Sequence, residues 1–350
     1  MAVIDSLRPA RNRVSGRRRP GRRNVAVCGV LAVLLLVTVT VSLSVGDYPV
    51  PFTEVLHALV LPSWADLIVQ ELRLPRVLTG VAAGAAFGLA GAIFQAMVRN
   101  PLASPDLIGV TAGAGVGAVA AITLVGVSAA WVPVLALAGG GLTAALVYVL
   151  AWRRGLHVSR LVVIGVALGG TGFAAGALNS LTSLLVANAE ITDAQEATVW
   201  LTGSLHGRDM EMAAGPLIAL GVALPFLPAA ARTLRSLSLG DDVAAGLGTR
   251  LGPSRLGLFV LGICLAATAT AAVGAVNFVA LGAPQIARRL TRSHVEPLVA
   301  SALVGALVVT AADIVARRLF APVELPVGVF TAAIGAPYLL WLLTRSGGVR

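Results

Sequence analysis

Polar residues in this chain are sparse and clustered. Between the clusters run apolar segments at roughly 25–45, 75–98, 106–126, 131–151, 161–187, 213–231, 256–290, 298–316 and 327–343. A helix rises about 1.5 Å per residue and the hydrocarbon core of a bilayer is about 30 Å thick, so runs of about twenty apolar residues predict membrane-spanning helices. The first run, VAVCGVLAVLLLVTVTVSLSV, exceeds the roughly 7–15 apolar residues of a cleaved leader and is expected to stay as the first span. The RRNVA before it is only a weak twin-arginine look-alike.

Segment 256–290 breaks the pattern. As one helix it would be roughly 50 Å long, too long for one crossing and too short for two ordinary ones. It contains LGAPQ (281–285), and Pro284 is not expected to continue an unbroken helix. The economical reading is a full span to about Val276, a turn near Asn277 and a short returning helix over 278–290. Irregular backbone at that depth must be buried in protein or line a cavity. The count becomes ten spans, with both termini cytoplasmic.

The arginines test that count, and all 26 basic residues are arginine. Eight lie in an arm between Arg8 and Arg23. With the N-terminus inside, Arg99, Arg153, Arg154, Arg160, Arg232, Arg235, Arg250, Arg255, Arg288, Arg289, Arg292, Arg345 and Arg350 also fall inside. Only five of the 26, Arg73, Arg76, Arg208, Arg317 and Arg318, remain outside, a strong positive-inside bias. Reading 256–290 as a single span would put Arg288, Arg289 and Arg292 outside. The expected organisation is an all-α integral membrane protein: a basic cytoplasmic arm (1–24), one transmembrane domain (25–345) carrying a cytoplasmic loop at about 232–255, and a tail (346–350).

Composition agrees, at 57% hydrophobic and 12% charged. The net charge of +10 follows the arginine anchors rather than a basic binding face, so nucleic acid is not the expected partner. With no lysine the chain has no GxxxxGK[ST] phosphate loop, so any ATP-driven work needs a separate ATPase. Cys28 and Cys264 lie in apolar runs, where a disulfide is not expected. The histidines have no metal-ligand spacing, and neither HExxH nor GxSxG is present; no catalytic residue, metal or cofactor is assigned.

Several breaks carry start and stop signals. In RNPLASPDLIG (99–109), Asn100-Pro101 ends one helix, and Ser104, Pro105 and Asp106 are placed to cap and open the next. Pro326 in VELPVG opens the last span. Glycines recur every four residues at Gly80, Gly84 and Gly88, at Gly109, Gly113 and Gly117, and at Gly165 with Gly169 and Gly172 with Gly176. They suit either tight helix packing or a moving, pore-lining surface. Asp313 alone among the acids lies well inside a span, one turn before Arg317, an i,i+4 pair. That leaves no evident site for a proton- or sodium-coupled carrier, although Gln95 and Asn179 keep such a carrier open.

The loop segment LGDDVAAGLG (239–248) reads as a short helix between glycines. Asp241 and Asp242 favour its first turn, Val243, Ala244 and Leu247 form an apolar side, and Gly248 stops it. It fits either a partner's groove or the membrane headgroups. The outward arginines are equally consistent with headgroup snorkelling or a docked partner.

Taken in order, RLPR (73–76) with GAIFQAMVRNPLASPDLIGVTAGAG, then LGDDVAAGLG (239–248), GAVNFVALGAPQIARR (274–289) and LPVGVFTAAIGAPYLLWLL (325–343) resemble the FecCD-type permeases of ABC importers. The resemblance implies a ten-helix permease paired with a second permease chain, identical or not, two ATPases and an extracytoplasmic binding (lipo)protein in the cell membrane. It implies that Arg73, Arg76 and Arg317 meet acidic residues of the binding protein, and that Leu239, Gly240, Asp241, Asp242, Ala245 and Gly248 form the helix coupled to the ATPase. Asn100 and Leu102 would lie near the cytoplasmic gate. Where many members carry proline-histidine this chain has Pro284-Gln285, and Arg318 has no assigned role. The motifs look closest to the ferric-enterobactin branch, implying a ferric siderophore cargo, catecholate before hydroxamate, with cobalamin or haem as alternatives. A proton-coupled exporter or a membrane scaffold are readings of other classes.

Overall fold

The computed structural model describes residues 21–46, 48–60, 65–125, 131–151, 173–293, 295–321 and 323–346, and every regular element among them is helical. Residues 1–20 of the basic arm, the first half of the 161–187 run and the last residues of the tail lie outside the described residues, while residues 21–24 of the arm already belong to the first helix. α1 (Gly21–Ser44) is followed by the short α2 (Phe52–Val60) and by a π-helical stretch, Leu67–Arg73, that runs into α3 (Leu74–Val98). Next come α4 (Val110–Ala120), α5 (Trp131–Ala151), α6 (Phe173–Ala187) and α7 (Ile191–Thr202). α8 (Met210–Ala223) continues through one 3-10 turn into α9 (Leu227–Ser238). α10 (Asp241–Gly246), α11 (Leu251–Val273), α12 (Val279–Thr291), α13 (Leu298–Arg318) and α14 (Val327–Ser346) complete the order. Six of the described helices are long and apolar enough to cross a membrane, and three shorter apolar helices accompany them, by length and composition.

α3 is the axis of the bundle. Its residues from Ala82 to Gln95 are buried almost without interruption, packed by α8, α11, α12 and α13. α1 is the opposite case: it leans on α13 and leaves Val30, Val33 and Leu36 largely exposed. An all-round apolar helix with one buried stripe suits a lipid-facing position.

Glycine sets how closely the helices approach. A Cβ on Gly84 would lie 2.5 Å from the Gly305 carbonyl oxygen, and one on Gly305 would lie 2.1 Å from that of Gly84. The backbones of α3 and α13 therefore touch, as small residues permit in lipid. The contact continues along both helices, with Gly88 against Ser301 and Gly80 against Val309. Gly113 and Gly117 of α4 make the same kind of contact with Gly139 and Leu135 of α5. For these two stripes the packing reading holds. Gly109 differs, since it sits at φ +84° and caps a 3-10 turn, while Gly176 meets nothing within 4 Å.

Other expectations need adjustment. Pro105 opens only the 3-10 turn Pro105–Ile108; Ser104 makes no side-chain cap bond, and α4 starts after Gly109. Helices α2 and α7 lie where no span was expected. They are shorter than a span and bury only part of a face, Val55 with Ala58 and Ala197 with Trp200. The break inside 256–290 falls at residues 274–278, as the length argument required. Pro284 nevertheless lies within α12. Its missing N–H leaves the Ala280 carbonyl without its helical donor, and that oxygen lies against Gly91.

Substituting valine for Gly84 is expected to cost about 1–3 kcal/mol through overpacking and to lower the melting temperature of the purified protein. Gly141→Ala, where nothing lies within 4 Å, is expected to leave it unchanged or slightly higher.

Candidate functional site

The α3–α13 contact also fixes what sits at its ends. The helices are antiparallel, with Gly80 opposite Val309, Gly84 opposite Gly305 and Gly88 opposite Ser301. Extending that register from Gly84 toward the start of α3 places Arg76 opposite Asp313. The two are in contact: Arg76 Nε and Nη2 donate to Asp313 Oδ1 at 3.1 and 2.9 Å. Asp313 takes a second guanidinium one helical turn along, with Arg317 Nε 3.1 Å from its Oδ2. Arg76 Nη1 reaches Glu324 Oε2 at 2.9 Å, in the break before α14. His206, in the break after α7, holds the same oxygen through Nδ1 at 2.8 Å.

Asp313 is almost fully buried, so a lone charge there would be very costly; two arginines compensate it. Arg317 also donates to Ser42 Oγ at the end of α1. Arg73 is buried as well and caps the end of α1 by donating to the carbonyls of Leu43, Ser44 and Tyr48. The three arginines singled out from the sequence are thus brought together at one end of the bundle, each with partners in its own chain. The rim is more open. Arg318 is exposed and donates to the Gly46 carbonyl, and it lines a cleft of about 580 Å³ with Arg76, Arg208, Glu71 and Glu324. Glu324 and His206 were missed by the sequence reading. Their only signal was to be polar residues in breaks facing the same end.

At the far end of α3, Arg99 adopts φ +56° and stops the helix. Asn100 Oδ1 accepts from the backbone N–H of Leu102 at 2.9 Å, which holds the 99–103 break in a turn. Gln285, which follows Pro284 in α12, is buried. Its Nε2 donates to Gln95 Oε1 at 2.5 Å and to the Pro101 carbonyl at 3.2 Å, while its Oε1 accepts from Arg288 Nη2 at 2.9 Å. Gln95 in turn donates to the Leu281 carbonyl at 2.9 Å. Arg288 passes the chain to Glu296 at 3.0 Å. The glutamine therefore ties α12 to α3 and to the break holding Asn100 and Leu102.

The short helix α10 lies at this same end. Gly240, at φ +101°, turns the chain into it. Asp241 accepts from Arg255 Nη2 at 2.7 and 2.8 Å and sits 3.4 Å from Arg99 Nη2. At its end, Gly248 takes φ +84°, with its N–H bonded to the Ala245 carbonyl at 2.9 Å and that of Thr249 to Ala244 at 3.0 Å, a Schellman closure. Ala244 is buried inward, whereas Leu239, Val243 and Leu247 are 60%, 51% and 66% exposed. Asp242 and Ala245 share that exposed surface. Of the apolar side expected from the sequence, Ala244 faces the protein and the larger residues face away.

Burial alone would raise the Glu324 carboxyl, but Arg76 and His206 outweigh it and hold the group below its ordinary value. A lowered folded value means the stabilisation is complete above the ordinary value near 4.3 and is lost as pH falls through the lower folded one. The melting temperature is therefore expected to drop as pH falls below about 5, and Glu324→Gln to flatten that drop.

Residues 34–345 match the model of the FecCD transport family. The chain is 40% identical to the achromobactin transport system permease protein CbrC of Dickeya dadantii, covering 93% of this chain and 91% of that protein. It is 38% identical to the Fe(3+)-citrate import system permease protein YfmE of Bacillus subtilis, over 93% and 96%. It is 38% identical to the ferric enterobactin transport system permease protein FepG of Escherichia coli, over 93% and 97%. Among solved structures, a metal-chelate type ABC transporter in an inward-facing conformation superposes with a TM-score of 0.78 at 28% identity, covering 92% of this chain and 99% of that one.

Proposed function

The chain belongs to the FecCD transport family, and from that premise we propose that it is the permease through which a ferric siderophore enters the cell, catecholate chelates of the enterobactin type being the first to test. It is a multi-pass membrane protein, the permease subunit of a metal-chelate ABC importer, and carries no ATPase of its own. It works with a second permease chain, two ATPases and an extracytoplasmic binding protein. The chain crosses the membrane ten times, α12 as a short returning helix, with both termini inside. The Arg76 end then faces out and α10 faces the cytoplasm.

The observation that carries this reading is the placement of α10. A capped helix braced by Asp241 and Ala244 on its inner side presents Leu239, Val243 and Leu247 outward. Val243 on the helix, Leu239 just before its Gly240 turn and Leu247 at its C-cap form an exposed apolar surface that suits insertion into a cleft of a partner, here an ATPase. Its bonds to Arg255 and Arg99 pass a displacement directly to α11 and α3. Closure of the ATPases on ATP would move α10 and shift the packed helices between outward- and inward-open arrangements. Asn100 and Leu102, tied to α12 through Gln285, sit where that shift reaches the cytoplasmic gate.

The outer end receives the binding protein. The end where Arg73, Arg76 and Arg317 lie is the docking platform, with Arg73 buried beneath it on the carbonyls of α1. Because Asp313 and Glu324 already neutralise Arg76 and Arg317 in part, acidic groups of the binding protein engage them by sharing rather than by filling an empty charge. Arg318, exposed on the rim, adds a contact that the sequence motif did not include. Relatives named for achromobactin, Fe(3+)-citrate and ferric enterobactin match to a similar degree, so an iron chelate is better supported than any one chelator.

Cells lacking the gene and complemented with wild type are expected to take up radio-iron supplied as a ferric siderophore. If none of the catecholate, citrate and hydroxamate chelates is taken up, the cargo assignment fails, and cobalamin and haem come next. Val243→Asp with Leu247→Asp is expected to leave the protein abundant in the membrane and to cut uptake at least about tenfold by weakening the ATPase contact. Uptake equal to wild type would refute the coupling role of α10.

A further inference from the structure

Residues 274–278 interrupt the helical course between α11 and α12. Their depth can be read from α3. The Ala280 carbonyl lies against Gly91, which follows Arg76 by 15 positions and precedes Arg99 by 8. At 1.5 Å per residue that is about 22 Å from one end cluster and about 12 Å from the other. Ala280 therefore sits well inside the bundle; the break runs from there toward the Arg76 end, where Ser204 meets Val273, so its Asn277 side lies, in a membrane protein, inside the hydrocarbon zone.

Non-helical backbone at that depth needs partners, and on one side it has them. Two other breaks converge on it. Ser204 N donates to the Val273 carbonyl at 2.9 Å, and Gly328 N donates to the Gly203 carbonyl at 3.1 Å. Gly274, at φ +79°, is pressed so close to Trp200 that a Cβ would lie 2.2 Å from its carbonyl oxygen. Ala275, Val276 and Val279 are 7%, 3% and 2% exposed. Phe278 holds φ +67°, which costs an aromatic residue about 1–2 kcal/mol, and its Cβ would lie 2.3 Å from a Cβ on Gly335 of α14. The strained turn is thus fixed by α14 and by the end of α7 with the 203–205 break after it.

Asn277 is the exception. It is exposed between buried Val276 and half-buried Phe278, and among the described residues nothing hydrogen-bonds its amide. Such a group facing lipid would cost several kcal/mol, so its exposed side requires water or a polar ligand. We propose that residues 274–278 form part of the wall of the translocation pathway, with the Asn277 amide touching the oxygen-rich surface of the passing metal chelate. An amide both donates and accepts, so it can meet carbonyl, carboxylate or hydroxyl groups. The cargo half of this inference rests on the proposed function; the water-lined wall does not.

The test uses the assembled transporter in membrane vesicles, with Cys28→Ser and Cys264→Ser as background. Asn277→Cys is compared with Val33→Cys, a position exposed on α1. A small charged methanethiosulfonate reacts only where thiolate and water coexist. Asn277→Cys is expected to react at least about tenfold faster than Val33→Cys, and its modification to block uptake of the ferric chelate. Equal reaction rates would overturn the inference. Rapid modification in a transporter that carries no ferric chelate would sink the cargo assignment and leave the pathway standing. Should Asn277→Cys fail to accumulate, uptake by Asn277→Ser and Asn277→Leu reads the same claim. Leucine is expected to lower uptake roughly fivefold relative to serine by removing a polar contact, and equal uptake by the two would overturn it.

Discussion

The backbone contact between α3 and α13 is the constraint from which the rest of the structure follows. Gly84 and Gly305 let the two helices touch, and an antiparallel touching pair has a single register. That register carries Arg76 to Asp313 at one end with no further adjustment. At the other end it leaves α3 free to meet α12, through Gly91 and the Gln95–Gln285 bond. Glycine spacing, which carries no chemistry itself, thus decides which charges meet.

The charges at the Arg76 end illustrate how a membrane protein keeps ionised groups near its surface. Asp313 is out of contact with water, and its burial is tolerable because two guanidinium groups share it. The pairing spreads through Glu324 to His206 and through Arg317 to Ser42, so three helix ends and two breaks are held by one polar cluster. The α10 end is built on the same plan but more openly. There the Arg99–Asp241 contact is half-exposed and weak, and the Arg255–Asp241 pair carries the hold. One end is thus held rigidly and the other more loosely.

Much of this was legible in the order of residues. Long apolar runs are hard to mistake in a chain with so few charges, and the excess length of 256–290 required a break close to Asn277. The Asp313–Arg317 pair followed from helical spacing, and the α10 helix from its flanking glycines and paired aspartates. What stayed hidden was long-range. Nothing local says that Arg73 is spent on the carbonyls of α1, or that Arg76 finds acids 237 and 248 positions away. Helix α2 escaped because it is too short to register as a span, and α7 because it is both short and polar. Ser104 and Pro105 carried a sound helix-start signal that Gly109 overrode by turning the chain once more. Gln285 read as a departure from a motif, while its bonds show a hub between α3, α12 and the Asn100 turn.

Such a permease is passive without its ATPases, and this separates it from a carrier driven by an ion gradient. The most direct measurement is uptake of ferric siderophore into sealed vesicles holding the permease pair, its ATPases and its binding protein. Energy is supplied either as ATP inside or as a proton gradient across the membrane. ATP alone is expected to drive accumulation, and the gradient alone to give none above the level of leakage. Accumulation on the gradient without ATP would contradict the assignment of this chain to an ATP-driven importer.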